Sequence, residues 1–462
     1  MSGNARAGFG SADITPRGGP ISLTGQWEAR VTEEIRNPLM ACAMVIQSDS
    51  ARTIWVACDL AVIVKSFSDE VKRLLRASLP GFEDSQLILS ATHIHTGPEP
   101  TMDSPEFIPV ETENSGSLKN AIPPDECCRQ AALGVEQAVL NAASSLAPSC
   151  FEAAVSYTIT GVSRRVAYKD GTGQMYGALH TPQLAGMEGR DGGPMQMIYV
   201  RRMSDSRLTG IIAAVPCPAQ ADEMARYVTA DYWATVREVI KKEWGEGVVV
   251  LGLSRSAGDL SPHTMIDDGK LINKMYGEDG AAIMGRRVGK AVVRAADEAV
   301  ALYGQDAAYK HICAYESLPL WSVTRDEYED AKAYLANAAK GGAGTLEEMT
   351  AYATAEVRVK NYERAPNECS ANFHAVRIGD IALITNPFEL FIEYADRIRM
   401  ACPEAQVIDV QLAGDDYLGY LPTQRAINAG GYSAQIYACS CDAKGGDMVV
   451  EKSTALIKSL FE

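Results

Sequence analysis

Leu87-Ile-Leu-Ser-Ala-Thr-His-Ile-His-Thr-Gly-Pro98 is the stretch from which the rest of the chain can be read. Gln86 to Leu89 is an apolar run of strand length, and it leads into two histidines and a Gly-Pro turn. In extended backbone, residues i and i+2 project to the same side. His93 and His95 are therefore expected to face one cavity at the end of a strand. The chain has only six histidines, so two in one strand-to-loop junction stand out. Such a pair suits one or two metal ligands, or a ligand beside a proton carrier. Two histidines hydrogen-bonding around a turn would leave the same trace in sequence.

The pattern around this stretch is a strand–helix alternation. Thr53 to Val56, Gly210 to Val215, Gly247 to Leu251, Ile381 to Ile384 and Gln406 to Val410 read as further strands. Asp69 to Ala77, Asp125 to Ala143, Ala230 to Lys242 and Gly280 to Leu302 carry apolar residues at helical spacing. Arg325 to Lys360 reads as two surface helices broken at Gly341-Gly-Ala-Gly. This predicts an α/β or α+β architecture of layered mixed β-sheets flanked by helices. No linker divides the chain. The polar stretch Thr101 to Pro124 reads as a loop over the histidine site, so 1–462 is expected to be one catalytic domain.

Composition narrows the function classes. The 462 residues are 47% hydrophobic and 22% charged, ordinary for a globular protein, and the net charge of −16 disfavours nucleic acid and anionic membranes as partners. Met1-Ser-Gly-Asn-Ala-Arg shows no signal-peptide pattern, and no run approaches 18 apolar residues. The eleven cysteines are scattered, several within apolar runs, as at Cys58. That pattern suits a reducing compartment, and a cytoplasmic location is expected. A small-molecule substrate is the expected partner; a homo-oligomer stays open.

Six short motifs then carry a resemblance. Gly10-Ser-Ala-Asp-Ile-Thr-Pro, Cys58-Asp-Leu, Ser90-Ala-Thr-His-Ile-His-Thr-Gly-Pro, Ala257-Gly-Asp-Leu-Ser-Pro, Arg377-Ile-Gly-Asp-Ile-Ala-Leu and Tyr417-Leu-Gly-Tyr-Leu-Pro-Thr together resemble the neutral, non-lysosomal ceramidase family, in that family's order. The resemblance covers nearly the whole chain. It implies a metal-dependent amide hydrolase with a single zinc ion (Zn2+) in a layered α/β catalytic domain, here in a divergent, bacterial-type form without the family's C-terminal immunoglobulin-like domain.

Carried over residue by residue, the resemblance implies His93, Glu389 and Tyr420 as metal ligands, with His95 facing the site. Tyr432 is implied as a site tyrosine, Ser261 as a functional serine and Arg164 as a substrate-facing arginine. By residue type alone, Glu389 could be a solvated helix-start glutamate, Ser261 a cap and Arg164 a surface residue. The departure is Cys217, in Val215-Pro-Cys-Pro, where the family has a second ligand histidine. Thiolate is a sound zinc ligand. Cys217 is open to three readings: a ligand, a nucleophile beside His95, or inert. The flanking prolines suggest that it is exposed on a turn. The expected chemistry is attack of activated water on an amide carbonyl, with His95 carrying the proton to the leaving amine. With no secretion signal or docking helix, a small soluble amide is a better expectation than ceramide. A metal-free Cys217/His95 hydrolase and a non-catalytic binding protein are the alternatives.

Overall fold

The computed structural model describes residues 5–49, 51–103, 116–266, 276–302, 308–338 and 345–462. Its backbone is a four-layer stack. The larger sheet comprises β1 (Arg6–Asp13), β2 (Met40–Gln47), β3 (Arg52–Cys58), β4 (Leu87–Ala91), β5 (Ala147–Ser156), β6 (Met195–Arg202), β7 (Leu208–Val215) and β8 (Val249–Ser254). Their order is β8-β7-β6-β5-β1-β2-β3-β4. The smaller sheet holds β9 (Tyr309–Pro319), β10 (Glu368–Ile378), β11 (Ile381–Thr385) and β12 (Gln406–Val410) side by side in that order.

β2, Met-Ala-Cys-Ala-Met-Val-Ile-Gln, shows why the sheets stack. Ala41, Ala43 and Val45 pack toward helices α1 (Lys65–Ser78), α2 (Pro124–Ser144), α3 (Tyr232–Trp244) and α4 (Gly277–Ala295). Cys42, Met44 and Ile46 pack the other way, against Val376, Ile378, Leu383 and Ile408 of the smaller sheet. A strand buried on both faces reads as a continuous apolar run. The far side of the smaller sheet is covered by α7 (Ile392–Ala401) and α8 (Ala443–Phe461), through Ile398, Ile457 and Leu460. The expected layered mixed architecture is what the chain adopts.

Most neighbouring strands are antiparallel, but three pairs are parallel: β3/β4, β7/β8 and β11/β12. Each is joined through a helix, α1, α3 and α7 respectively, because parallel neighbours need a crossover. The carboxyl ends of such pairs are where open α/β sheets bind ligands. Residues 409–414 stitch three of these ends together. Ala91 N donates to Leu412 O at 3.0 Å, and Gln411 N to Ser254 O at 3.0 Å. Beneath them Asp409 accepts from Arg255 Nη2 at 2.8 Å and Arg399 Nη1 at 2.6 Å.

Two helix expectations need correction. Gly280 to Leu302 overruns: α4 ends at Ala295, and Val300–Ala301 pairs with β5. The alanine-rich pattern runs on past the helix end with no stop residue, whereas β-branched Val300 adds to the open stretch of β5. The second correction concerns α5 (Arg325–Asn337) and α6 (Leu346–Glu363), each opened by a Thr–Glu capping box at Thr324/Glu327 and Thr345/Glu348. Both helices form as expected, and Gly341-Gly-Ala-Gly falls outside the described residues. They are not merely surface: Val357, Lys360 and Asn361 of α6 wall the cavity described next. Part of the polar stretch Thr101 to Pro124, residues 104–115, also lies outside the described residues.

Candidate active site

The histidines converge by a different route from the one expected. β4 ends at Ala91, and His93 has φ 65°, in the left-handed region. Strand alternation therefore stops before His93. The unusual conformation is held by His93 N donating to Leu60 O at 3.0 Å, beside Thr92 N to Cys58 O at 3.0 Å. Non-glycine residues in this region cluster at functional sites. The two rings still meet edge to face, with centroids 5.0 Å apart.

His93 is buried and both its ring nitrogens face oxygens. Nδ1 lies 2.6 Å from Ala61 O and Nε2 lies 3.1 Å from Glu389 Oε2. With Nδ1 against a backbone carbonyl, Nε2 is the nitrogen left to meet the carboxylate, the orientation in which metal-binding histidines are commonly held. Glu389 is no solvated helix-start residue. It opens a two-residue strand, Glu389–Leu390, paired in parallel with Tyr420–Leu421, and it is buried. Its other oxygen accepts from the Tyr417 hydroxyl at 2.7 Å. Burial alone would raise the Glu389 pKa, but the His93 imidazole and the Arg164 guanidinium hold it down at about 2. Burial and the Glu389 charge push the Tyr417 and Tyr420 phenols well above their ordinary value.

Arg164 is the hub of the site. It is buried, not a surface arginine. Nη1 donates to Tyr176 Oη at 3.2 Å and to Gln220 Oε1 at 3.4 Å; Nη2 donates to Gly258 O at 3.0 Å and to Tyr420 Oη at 3.4 Å. Glu389 Oε2 is 3.9 Å from Nη2. Gly258 allows this closeness: a Cβ there would sit 2.3 Å from Glu389 O. Ser261, in a short strand with Leu260 paired to Val162–Ser163, reaches the hub indirectly, accepting from Tyr176 Oη at 3.2 Å.

His95 has its own polar shell. Its Nε2 lies 2.9 Å from Gln220 Nε2, and Nδ1 lies 3.5 Å from Glu223 Oε2. A Gln220 amide donating to Nε2 assigns the ring proton to Nδ1, facing the Glu223 carboxylate. Burial lowers the His95 pKa against the opposing pull of Glu223. Arg30 donates to His95 O at 2.6 Å. Gly25, at φ 91°, leaves room for the ring, since a Cβ at that position would stand 2.4 Å from His95 Cγ.

The expectation of an exposed Cys217 is overturned. Its side chain is fully buried, at 0% exposure, and the thiol points to Pro218 O at 3.4 Å. The turn after β7 folds inward because Tyr232 Oη, at the start of α3, donates to Cys217 O at 3.0 Å. Burial pushes the thiol well above its ordinary pKa, which disfavours a free thiolate nucleophile. Cys217 does not line the cavity that His93, His95, Glu389, Tyr420 and Tyr432 share.

That cavity measures ≈ 570 Å³. Its wall is mixed, with Trp27 and Leu320 beside Gln26, Glu99, Lys360 and Asp416. Tyr432 stands at the opening, 39% exposed, edge to face with Tyr420 at 5.5 Å. The backbone behind it is held by Arg165, which donates to Tyr432 O at 3.0 Å and pairs with Glu188 at 2.9 Å. Reading by residue type missed Tyr417, Gln220, Glu223 and Tyr176. A Tyr-X-X-Tyr spacing was visible, but nothing in Gln220-Ala-Asp-Glu223 marks two residues that embrace a histidine 125 positions away. Among the described residues, no group of three or more His, Cys, Asp or Glu side chains is gathered closely enough to hold a metal; the set here is His93 and Glu389, with Tyr420 nearby.

No family model matches the chain. Over 97 residues it is 32% identical to the neutral ceramidase of Pseudomonas aeruginosa, a stretch that spans 20% of this chain and 14% of that protein. The crystal structure of that neutral ceramidase is similar with a TM-score of 0.71 at 18% identity, over 99% of this chain and 75% of the other. A ceramidase complexed with C2 is similar with a TM-score of 0.68 at 16% identity and the same coverage. The resemblance carried by the six motifs therefore holds at the level of the fold: this chain has the neutral ceramidase architecture.

Proposed function

We propose that this chain hydrolyses the amide bond of a small N-acyl substrate and uses one bound metal ion, zinc being the first candidate. The observation that carries the reading is the posture of His93: its Nδ1 is committed to Ala61 O while Nε2 looks at Glu389 Oε2 across 3.1 Å. An imidazole nitrogen, a carboxylate held ionised and a phenol oxygen are donors that zinc accepts, and three protein ligands leave the open position that a catalytic site requires. His93, Glu389 and Tyr420 would hold the ion; the buried Cys217 would not. A zinc ion there would supply Lewis acidity and a more acidic water.

The remaining residues have roles that follow from their contacts. Arg164 does not line the cavity; from behind its wall it would hold Tyr420 in place and balance the Glu389 charge, with Tyr176 and Ser261 extending that network. His95, with its Nδ1 proton toward Glu223, has Nε2 free to take a proton whenever Gln220 yields its place, and to return it to the leaving amine. The cavity wall combines apolar and charged groups, which suits a compact acyl amide with a polar end. The neutral ceramidase fold and the name of the sequence relative support amide over ester. A cytoplasmic location remains part of the proposal.

Metal analysis of the purified chain, paired with turnover of short-chain ceramide, N-acyl amino acids, N-acetyl hexosamines and a lactam, tests the reading. About one zinc per chain and release of an amine from at least one substrate are expected. A zinc-supplemented protein that cleaves none of them sinks it.

A further inference from the structure

Of the eleven cysteines, Cys369 and Cys441 bring their sulfurs to 3.6 Å. They come from opposite ends of the smaller-sheet half. Cys369 is near the start of β10, opposite Leu318 of β9. Cys441 lies in the irregular link that carries Cys439 and Ser440 into α8. A disulfide needs about 2.05 Å between sulfurs, so an approach of roughly 1.5 Å is required. Cys441 lies between Ser440, whose backbone is tied to Trp321 and Leu418, and the start of α8, so that approach falls to the two cysteine side chains and the backbone of Cys441 itself. Both are free thiols.

Access is asymmetric. Cys369 lines the His93 cavity and is 8% exposed, whereas Cys441 is fully enclosed behind it. We infer that Cys369 and Cys441 are a reversible dithiol–disulfide site in the cavity wall, oxidised by small organic disulfides that enter the cavity. The Cys369 thiolate attacks one sulfur of the disulfide RSSR, and the first RS⁻ leaves. The Cys441 sulfur, its proton passing to a thiolate, then attacks Cys369 Sγ and expels the second RS⁻. Two protein thiols lose two electrons and two protons, and RSSR is reduced to two RSH. The order fits the local electrostatics: the Cys441 thiol donates toward Cys369 and lowers its pKa, helped by the Arg364 charge, while the Cys441 pKa rises.

The bond would span 72 positions in sequence, and the enclosed loop contains Glu389, Tyr417, Tyr420 and Tyr432. It would also pin Ser440, whose carbonyl accepts from Trp321 N at 2.8 Å, beside the Gly419–Cys439 bridge next to Tyr420. Oxidation therefore ties down a stretch of the cavity wall next to Tyr420. This inference stands apart from the hydrolase reading, since it concerns thiols alone.

Incubating the full chain with oxidised glutathione, followed by alkylation and peptide mass spectrometry without reductant, tests it. Expected are a Cys369–Cys441 linked peptide, loss of two alkylatable thiols, reversal by dithiothreitol and a Tm rise of about 2–4 °C. Cys439→Ser should give the same link. Cys441→Ser should stop at a glutathione adduct on Cys369, with an unchanged circular dichroism spectrum reporting a folded chain. A chain that keeps both thiols alkylatable overturns the inference. So does a Cys369–Cys439 link, or a folded Cys441→Ser variant whose Cys369 stays unmodified.

Discussion

Two histidine pairs occupy this molecule at closely similar ring spacing. His93 and His95 have centroids 5.0 Å apart; His311 of β9 and His374 of β10 have centroids 5.2 Å apart. The second pair is closed on itself. His311 Nε2 lies 2.9 Å from His374 Nδ1, His374 Nε2 lies 2.8 Å from Asn372 Oδ1, and His311 Nδ1 lies 3.3 Å from Arg52 O. Among the described residues, no carboxylate pairs with either ring. Burial drives His374 well below its ordinary pKa and His311 down to about 4. The first pair has Glu389 on one ring and Glu223 by the other, with a cavity in front. The difference teaches that imidazoles alone do not make a site; counter-charge and room for a reactant do.

The comparison can be broken most decisively at Glu389. Replacing it by Gln, or His93 by Ala, is expected to lower kcat/KM on any amide the wild type cleaves by about 10³-fold or more. Bound metal should fall to background by elemental analysis. His311→Gln, in the other pair, should leave turnover within about threefold. Equal losses in both pairs would erase the distinction drawn here.

Acid separates the pairs next. The folded His311 pKa is about 4 against an ordinary 6.5, so between these values the unfolded chain binds more protons than the folded one. Stability from this group is full above pH 6.5 and is lost as pH falls toward 4, by at most about 3 kcal/mol. Urea midpoints at pH 7.5 and 4.5 measure the slope, which His311→Gln should reduce while the share of the buried His374 remains. A wild-type midpoint independent of pH over that window contradicts the assignment.

Smaller effects sharpen the first pair. Glu223→Gln keeps the shape but removes the charge facing His95 Nδ1, and kcat is expected to drop about 10-fold with KM nearly unchanged. A KM effect without a kcat effect would make Glu223 a binding residue instead. Cys217→Ala is expected to matter least: metal content unchanged, turnover within about threefold and a stability loss near 1 kcal/mol from the small void. Loss of the metal in that variant would restore Cys217 as a ligand.

Much of this was legible in one dimension because it is local. Gln406 to Val410 is the whole of β12, and Thr53 to Val56 lies within β3, since runs of β-branched and apolar residues suit a strand buried on two sides. The histidine junction was visible for the same reason. What decides the roles was not local. The strand alternation invoked for His93 and His95 fails at Thr92, and the rings meet because His93 turns left-handed against Leu60 and Ala61. Two prolines around Cys217 read as an exposed turn, yet Tyr232 draws that turn inward.

Residue types and their periods, then, determined the layered α/β architecture, the strand that presents the histidines and the motifs that tie this chain to the neutral ceramidase fold. Hydrophobic periodicity is a property of neighbouring residues, so it survives in sequence. Only the tertiary structure decided that Glu389 faces His93 across 296 positions, that Arg164 joins them to Tyr420, and that Cys217 stands apart. Those relations depend on how three crossover units aim their carboxyl ends at one point, and no local pattern encodes that aim.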